Sequence, residues 1–126
     1  MSESPTSSSA FSQLMATIED RKAHPPDRSY TTSLFRGGVE KIGRKIVEEA
    51  NEMVEAAGEA GPDGRSHFIH ETADLIYHVF VMLGHQGVKL DEVEAELVRR
   101  FGTSGLDEKA ARGASNSEPQ KGISHE

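Results

Sequence analysis

A chain of 126 residues has room for one domain with a core of modest size. Twenty-one acidic side chains against fourteen basic ones leave a net charge of −7, which excludes nucleic-acid binding through the overall field of the protein. The absence of cysteine excludes disulfide frameworks, thiolate zinc sites, iron–sulfur clusters and thiol catalysis, so any metal chemistry must rest on carboxylates and histidines.

The opening MSESPTSSSA is Ser/Pro-rich and carries neither a basic region nor an apolar run, so it reads as a flexible tail over 1–9 and not as a secretory signal. From Ala10 the pattern turns helical, with Phe11, Leu14, Met15 and Ile18 at i, i+3, i+4 and i+7, until Pro25-Pro26 stops it. Asp27–Gly38 is rich in Ser, Thr and Gly and is expected to form an ordered loop, with at most one helical turn around Thr32–Phe35. A second helix is expected from Val39 to Ala57, carrying Val39, Ile42, Ile46, Ala50, Met53 and Val54, and Gly58–Gly64 should break it. A third, from Ser66 to Gln86, has apolar residues over half its circumference, which marks a central helix closed by Gly87. Asp91 is suited to cap a fourth helix with Val93, Leu97, Val98 and Phe101, ended by Gly102, and 113–126 reads as a second tail.

No segment alternates as a strand would. The expected fold is all-α, a four- to five-helix bundle over 10–112 in which short connections make neighbouring helices antiparallel. The longest apolar run, Leu75–Leu83 broken by His78, is too short to cross a bilayer, so no membrane partner and a cytoplasmic location are expected.

The informative constellation is Glu48-Glu49-x-x-Glu52 on the second helix and, after a spacer of eighteen residues, Glu71-x-x-Asp74 on the third. An i, i+3 pair lies about 60° apart on a helix. Glu49 borders the stripe of Ile42, Ile46 and Met53, and Glu71 lies beside Phe68, Leu75 and Met82. Acids on a solvated helix face need no explanation, and Glu55 and Glu59 read that way, but two acids interrupting the most apolar helix do need one. Four or five carboxylates brought together repel one another and call for a divalent cation, and oxygen donors suit Mg²⁺ or Mn²⁺ better than zinc. The di-iron signature Glu-x-x-His is missing, since Asp74 and Glu55 stand where its histidines would be.

Positive charge is concentrated ahead of these acids: residues 1–47 hold seven Lys/Arg against five Asp/Glu, whereas 48–126 hold seven against sixteen. Lys41 and Lys45 precede Glu52 on its own side of the helix, and Arg21, Lys22, Arg28 and Arg36 lie upstream. With a metal they can neutralise a polyphosphate, although Lys45 can equally pair with Glu48 or Glu49. Tyr30 can hydrogen-bond or stack on a ligand, or simply pack. His67, His70, His78 and His85 fall on the polar side of the third helix with Asp74, where a histidine touches ligand, supports a metal ligand, or is merely hydrogen-bonded.

The acidic pattern resembles the MazG-type all-α nucleotide pyrophosphohydrolases, whose hallmark is EExxE, a spacer and ExxD. A longer series is similar to the phosphoribosyl-ATP pyrophosphatase family over about residues 10–112: Ile18-Glu19-Asp20-Arg21-Lys22, Pro25-Pro26, Ser29-Tyr30-Thr31, Leu34-Phe35, Lys41-Ile42, Lys45, Ala73-Asp74-Leu75-Ile76-Tyr77-His78, Arg99-Arg100-Phe101-Gly102 and Ser104-Gly105-Leu106. The resemblance implies Mg²⁺-dependent cleavage of the α–β phosphoanhydride of phosphoribosyl-ATP to phosphoribosyl-AMP and pyrophosphate, the second step of histidine biosynthesis, by a homodimer. On that footing Glu49, Glu52, Glu71 and Asp74 are the expected Mg²⁺ ligands. Glu48 and Glu49 are the catalytic acids, with Glu48 taking a further ion or the proton of the attacking water. Arg21, Tyr30, Lys41 and Lys45 are expected at the substrate. Two alternatives share the same residues: a hydrolase of other nucleoside triphosphates, and a non-catalytic acidic helical adaptor.

Overall fold

The structure is a computed structural model that describes residues 7–101, so residues 1–6 of the expected first tail, the expected tail over 113–126 and the expected stop at Gly102 lie outside the described residues, whereas Ser7, Ser8 and Ser9, expected in the first tail, are helical. Four helices follow in order: α1 (Ser7–Ala23), α2 (Tyr30–Ala57), α3 (Gly61–Gln86) and α4 (Leu90–Arg100), and no strand occurs among the described residues. The chain divides into two units, Met1–Leu90 and Asp91–Glu126. No described helix is long and apolar enough to cross a membrane.

The expected loop over 27–38 is the main correction. Ser29 takes an extended conformation and its hydroxyl accepts the Thr32 N–H at 3.1 Å, a capping bond that starts α2 at Tyr30. The helix then breaks at Gly38, whose φ of 70° and ψ of −164° are non-helical. The two arms, 30–37 and 39–57, run in opposite senses along α3. In the first arm Tyr30 meets His78 and Phe35 stacks on His85, so numbers rise together. In the second arm Gly43 approaches Met82, whereas Glu52 lies by His67 and Glu71, so numbers rise on one helix and fall on the other. Local composition favoured a loop, but the first arm gains its helix from tertiary contacts, since Thr32 and Leu34 are buried and Thr31 Oγ1 is hydrogen-bonded to the Tyr77 hydroxyl.

Gly38 is the position on which this hairpin depends, because its φ/ψ pair lies where side chains clash with the backbone. Gly38→Ala is expected to destabilise the protein by about 1–3 kcal/mol in urea unfolding, through strain alone, since the nearest atom to an added Cβ is His85 Nε2 at 3.9 Å. A midpoint equal to that of the parent would contradict this role.

The other helix ends follow simpler rules. α1 stops at Ala23, ahead of Pro25-Pro26. α3 begins at Gly61, five residues before the expected Ser66, because Pro62 falls in the first turn, where a missing N–H costs nothing. Gly87, in the left-handed conformation, closes it as expected. In α4, Asp91 is not the cap: it stands with Glu92 inside the first turn, where negative charge faces the positive end of the helix dipole. Farther along α4, Arg99 and Arg100 both donate to Glu96 and hold its carboxyl down at about 2.

The core of the first unit joins Met15 and Ile18 of α1, Leu34 and Ile42 from the two arms of α2, and Phe80 and Val81 of α3. Gly84 lets α1 and α3 approach closely, since a Cβ there would stand 3.2 Å from Ile18 and 3.4 Å from Phe35. Lys22 Nζ donates to the Gly84 carbonyl at 2.6 Å across the same contact. Burial on both arms also turns His78 inward, 4% exposed, and half-buries His85, so these two leave the polar side of α3 on which periodicity placed them.

Candidate active site

The second arm of α2 and the first half of α3 bring four of the five acids to one place. Glu49 and Glu71 are buried, at 8% and 7% exposure, whereas Glu52 and Asp74 stand at the solvent side. Ligand atoms of Glu52, His67 and Glu71 lie within 4.8 Å of one another, as do those of His70, Glu71 and Asp74, which makes Glu71 the acid common to both groups. Glu48 is exposed and reaches Lys45 at 3.2 Å, and the same ammonium lies 3.8 Å from Glu49.

This crowding shows in the protonation of Glu49. Burial first, then its hydrogen bond with Glu71 and the charges of Asp74 and Glu71, push its carboxyl up to about 7 against the opposing pull of Lys45. Lys45 itself is held above its ordinary value: desolvation works against its charge, but the hydrogen bond to Glu48 and the nearby Tyr30 and Glu49 outweigh it. Burial also raises the Tyr30 hydroxyl, which senses Lys45, Glu49 and Glu48 and therefore belongs to the same neighbourhood. Two features mark a pocket short of positive charge. Glu49 retains a proton into the neutral range, and Oε1 of Glu71 is buried with no hydrogen-bond donor. A hard divalent cation fits this donor set, supplying the charge that both carboxylates lack.

Around the acids the histidines take separate parts. His78 Nδ1 donates to the Asp74 carbonyl at 2.8 Å, which leaves Nε2 to accept from the Tyr30 hydroxyl at 2.9 Å. Tyr30 is thereby fixed beside the acids with its ring half-exposed and stacked on Tyr77. His70 pairs with Asp74 at 3.3 Å on the outer side. His67 lies between Glu59, at 3.0 and 3.1 Å from Nδ1, and Glu71, at 3.2 Å from Nε2. The Glu59 hydrogen bond outweighs partial desolvation and raises its pKa, with Glu71 adding to the effect.

Two of the expected substrate residues stand elsewhere. Lys41 folds back over the α2 hinge, where its stem covers Gly37 and its ammonium lies 3.4 Å from the Ser33 carbonyl and hydroxyl. Arg21 lines a cavity of about 190 Å³ with Lys22, Pro25, Thr32, Phe35 and Arg36, where a buried Thr32 hydroxyl lacks a partner. Sequence reasoning left His67 as one of four polar-side histidines. The signal that could have singled it out is its i, i+4 spacing to Glu71, whereas the Glu59 contact arises only from the tight turn between α2 and α3.

The chain is similar to known proteins over most of its length. The family model for phosphoribosyl-ATP pyrophosphohydrolase matches residues 11–101. A phosphoribosyl-ATP pyrophosphatase of Rhodopirellula baltica is 54% identical over 110 residues, covering 87% of this chain and 92% of that protein. The protein of the same name from Rhodobacter capsulatus is 50% identical over 104 residues, covering 82% of this chain and 98% of its own length. A third, from Trichlorobacter lovleyi, is 51% identical over 100 residues, covering 79% and 90%.

Proposed function

From the premise that the chain belongs to the phosphoribosyl-ATP pyrophosphohydrolase family, we propose that it hydrolyses phosphoribosyl-ATP to phosphoribosyl-AMP and pyrophosphate, the second step of histidine biosynthesis. Water adds across the α–β phosphoanhydride, each product keeping one side of the cleaved bond, and a base takes the proton that the water gives up. The observation that carries this reading beyond family membership is the convergence of Glu49, Glu52, Glu71 and Asp74 from two antiparallel helical segments, with two of the four buried.

Glu49, Glu52, Glu71 and Asp74 would hold Mg²⁺, or Mn²⁺ in its place. When bound, the ion supplies positive charge to the phosphate oxygens and acidifies water. The chain's own residues do the rest. Lys45, already charged between Glu48 and Glu49, meets the triphosphate from the α2 side. Glu48, exposed one residue from the buried Glu49, is placed to take the proton of the attacking water once substrate engages Lys45. Tyr30 presents an exposed ring face beside the acids for contact with the nucleotide. Arg21 and Lys41 stand farther along the fold and serve anionic groups away from the scissile bond.

A homodimer belongs to the same proposal. Val39, Val47 and Val54 form a stripe on the second arm of α2 that is 52%, 60% and 65% exposed, and Phe68 and Ile69 add apolar surface on α3. A cytoplasmic location suits a reaction on a nucleotide intermediate.

The test is a product assay. With Mg²⁺, phosphoribosyl-ATP should yield phosphoribosyl-AMP and pyrophosphate in equal amounts, and chelation of the metal should abolish the signal. Faster turnover of any member of a deoxynucleoside triphosphate panel would reject the substrate assignment, and no release of pyrophosphate from any nucleotide would reject the activity.

A further inference from the structure

The five acids of the motif offer a cation oxygen donors only, but the fold brings a nitrogen to them. His67 Nδ1 lies 3.0 and 3.1 Å from the two carboxylate oxygens of Glu59. A carboxylate only accepts, so in the metal-free protein both ring nitrogens carry a proton; the Glu59 bond orients the ring with Nε2 pointing at the acids, where a bound cation would take the place of the Nε2 proton. Nε2 stands 3.2 Å from Glu71 Oε2, and the ligand atoms of Glu52, His67 and Glu71 fit within 4.8 Å. Two donors at about 2.1 Å from one octahedral ion are separated by roughly 3 Å along a cis edge, which the Nε2 to Oε2 distance approaches. A second, independent feature points to a ligand here: Glu71 is more than nine-tenths buried, and its other oxygen, Oε1, has no hydrogen-bond partner.

We infer that His67, oriented by Glu59, is a nitrogen donor to a cation shared with Glu52 and Glu71, and that this chain therefore binds Mn²⁺ or Co²⁺ in preference to Mg²⁺ at that position. The inference rests on the reading that the acid cluster holds a divalent cation, and it adds the donor that sets which one. Imidazole nitrogen strengthens binding of transition-metal ions, whereas Mg²⁺ gains little from replacing a water or carboxylate oxygen by nitrogen. Glu59 acts only through His67, as a positioning residue that keeps Nε2 aimed at the acids.

The experiment uses the full chain stripped of metal. Calorimetric titration with MnCl₂ should show binding at least tenfold tighter than with MgCl₂. His67→Ala should weaken Mn²⁺ binding about 10- to 100-fold while changing Mg²⁺ affinity by less than about threefold. Glu59→Gln retains the nitrogen but loosens the ring, and should lie between parent and His67→Ala. His67 is half-exposed, so these variants are expected to keep the parent's helical circular dichroism. Electron spin-echo spectra of the Mn²⁺-loaded parent should show modulation from a directly bonded ¹⁴N that disappears in His67→Ala. Equal Mn²⁺ affinity in parent and His67→Ala, or Mn²⁺ bound without nitrogen modulation, overturns the proposal even if Mg²⁺ supports pyrophosphate release. Conversely, failed turnover alongside a nitrogen-coupled Mn²⁺ site removes the enzymatic reading and leaves this site standing.

Discussion

Glu71→Gln is expected to lower pyrophosphate release from phosphoribosyl-ATP by between about 10² and 10³-fold while making the metal-free protein more stable. The two effects share one cause. Glu71 is the acid common to both candidate ligand groups, so a neutral amide removes the anionic donor at the centre of the cluster. The same charge repels Glu49 across a buried contact and leaves Oε1 without a partner. Replacing it should stabilise the metal-free fold by about 1–2 kcal/mol at neutral pH, because an isosteric amide relieves like-charge burial without opening a cavity. Mg²⁺ should raise the melting temperature of the parent and leave that of the variant nearly unchanged. A residue kept for packing alone would behave differently, with activity retained and stability reduced. Turnover within threefold of the parent would sink the assignment of Glu71 to the metal.

The second large effect is a pH dependence opposite to that of ordinary carboxylates. Glu49 titrates near its ordinary 4.5 when unfolded and at about 7 in the fold. Between those values the folded state holds a proton that the unfolded state has lost, so stability falls as pH rises. Its favourable contribution is complete below about pH 4.5 and gone above about 7, a decline on the order of 3 kcal/mol. His67, also raised, contributes with the same sign and extends the loss above its ordinary 6.5. A bound divalent cation substitutes for the Glu49 proton, so saturating Mg²⁺ should flatten the slope and give its greatest stabilisation at the alkaline end. Urea unfolding at several pH values, with and without Mg²⁺, reads this directly. Metal-free stability that rises across the window would show that Glu49 is ionised and solvated, and the buried cluster would have to be redrawn.

Helix content and the grouping of the acids were legible in one dimension, because both rest on short-range spacing. Apolar residues at i, i+3 and i+4 mark helices wherever the chain lies in space, and Glu48-Glu49-x-x-Glu52 with Glu71-x-x-Asp74 sets carboxylates on two helix faces before any packing is known. The resemblance carried by the same residues gave the family, and the matches over 11–101 agree with it. The arm 30–37 was not legible, since Ser, Thr and Gly favour a loop locally and only burial of Thr32 and Leu34 and the bonds to Tyr77 and His78 repay the helix.

What the amino-acid order determined by itself is that this is an all-α chain with clustered acids suited to a hard cation. Tertiary structure alone decided which acids are buried, Glu49 and Glu71 and not Glu48 or Glu52, and so which proton is held into the neutral range. It also decided that His78 fixes Tyr30 and that His67 turns Nε2 toward the acids. The reason is physical: desolvation and hydrogen-bond geometry depend on atoms from the other helix, as distant in sequence as Tyr30 is from His78, and periodicity along one helix carries no information about them.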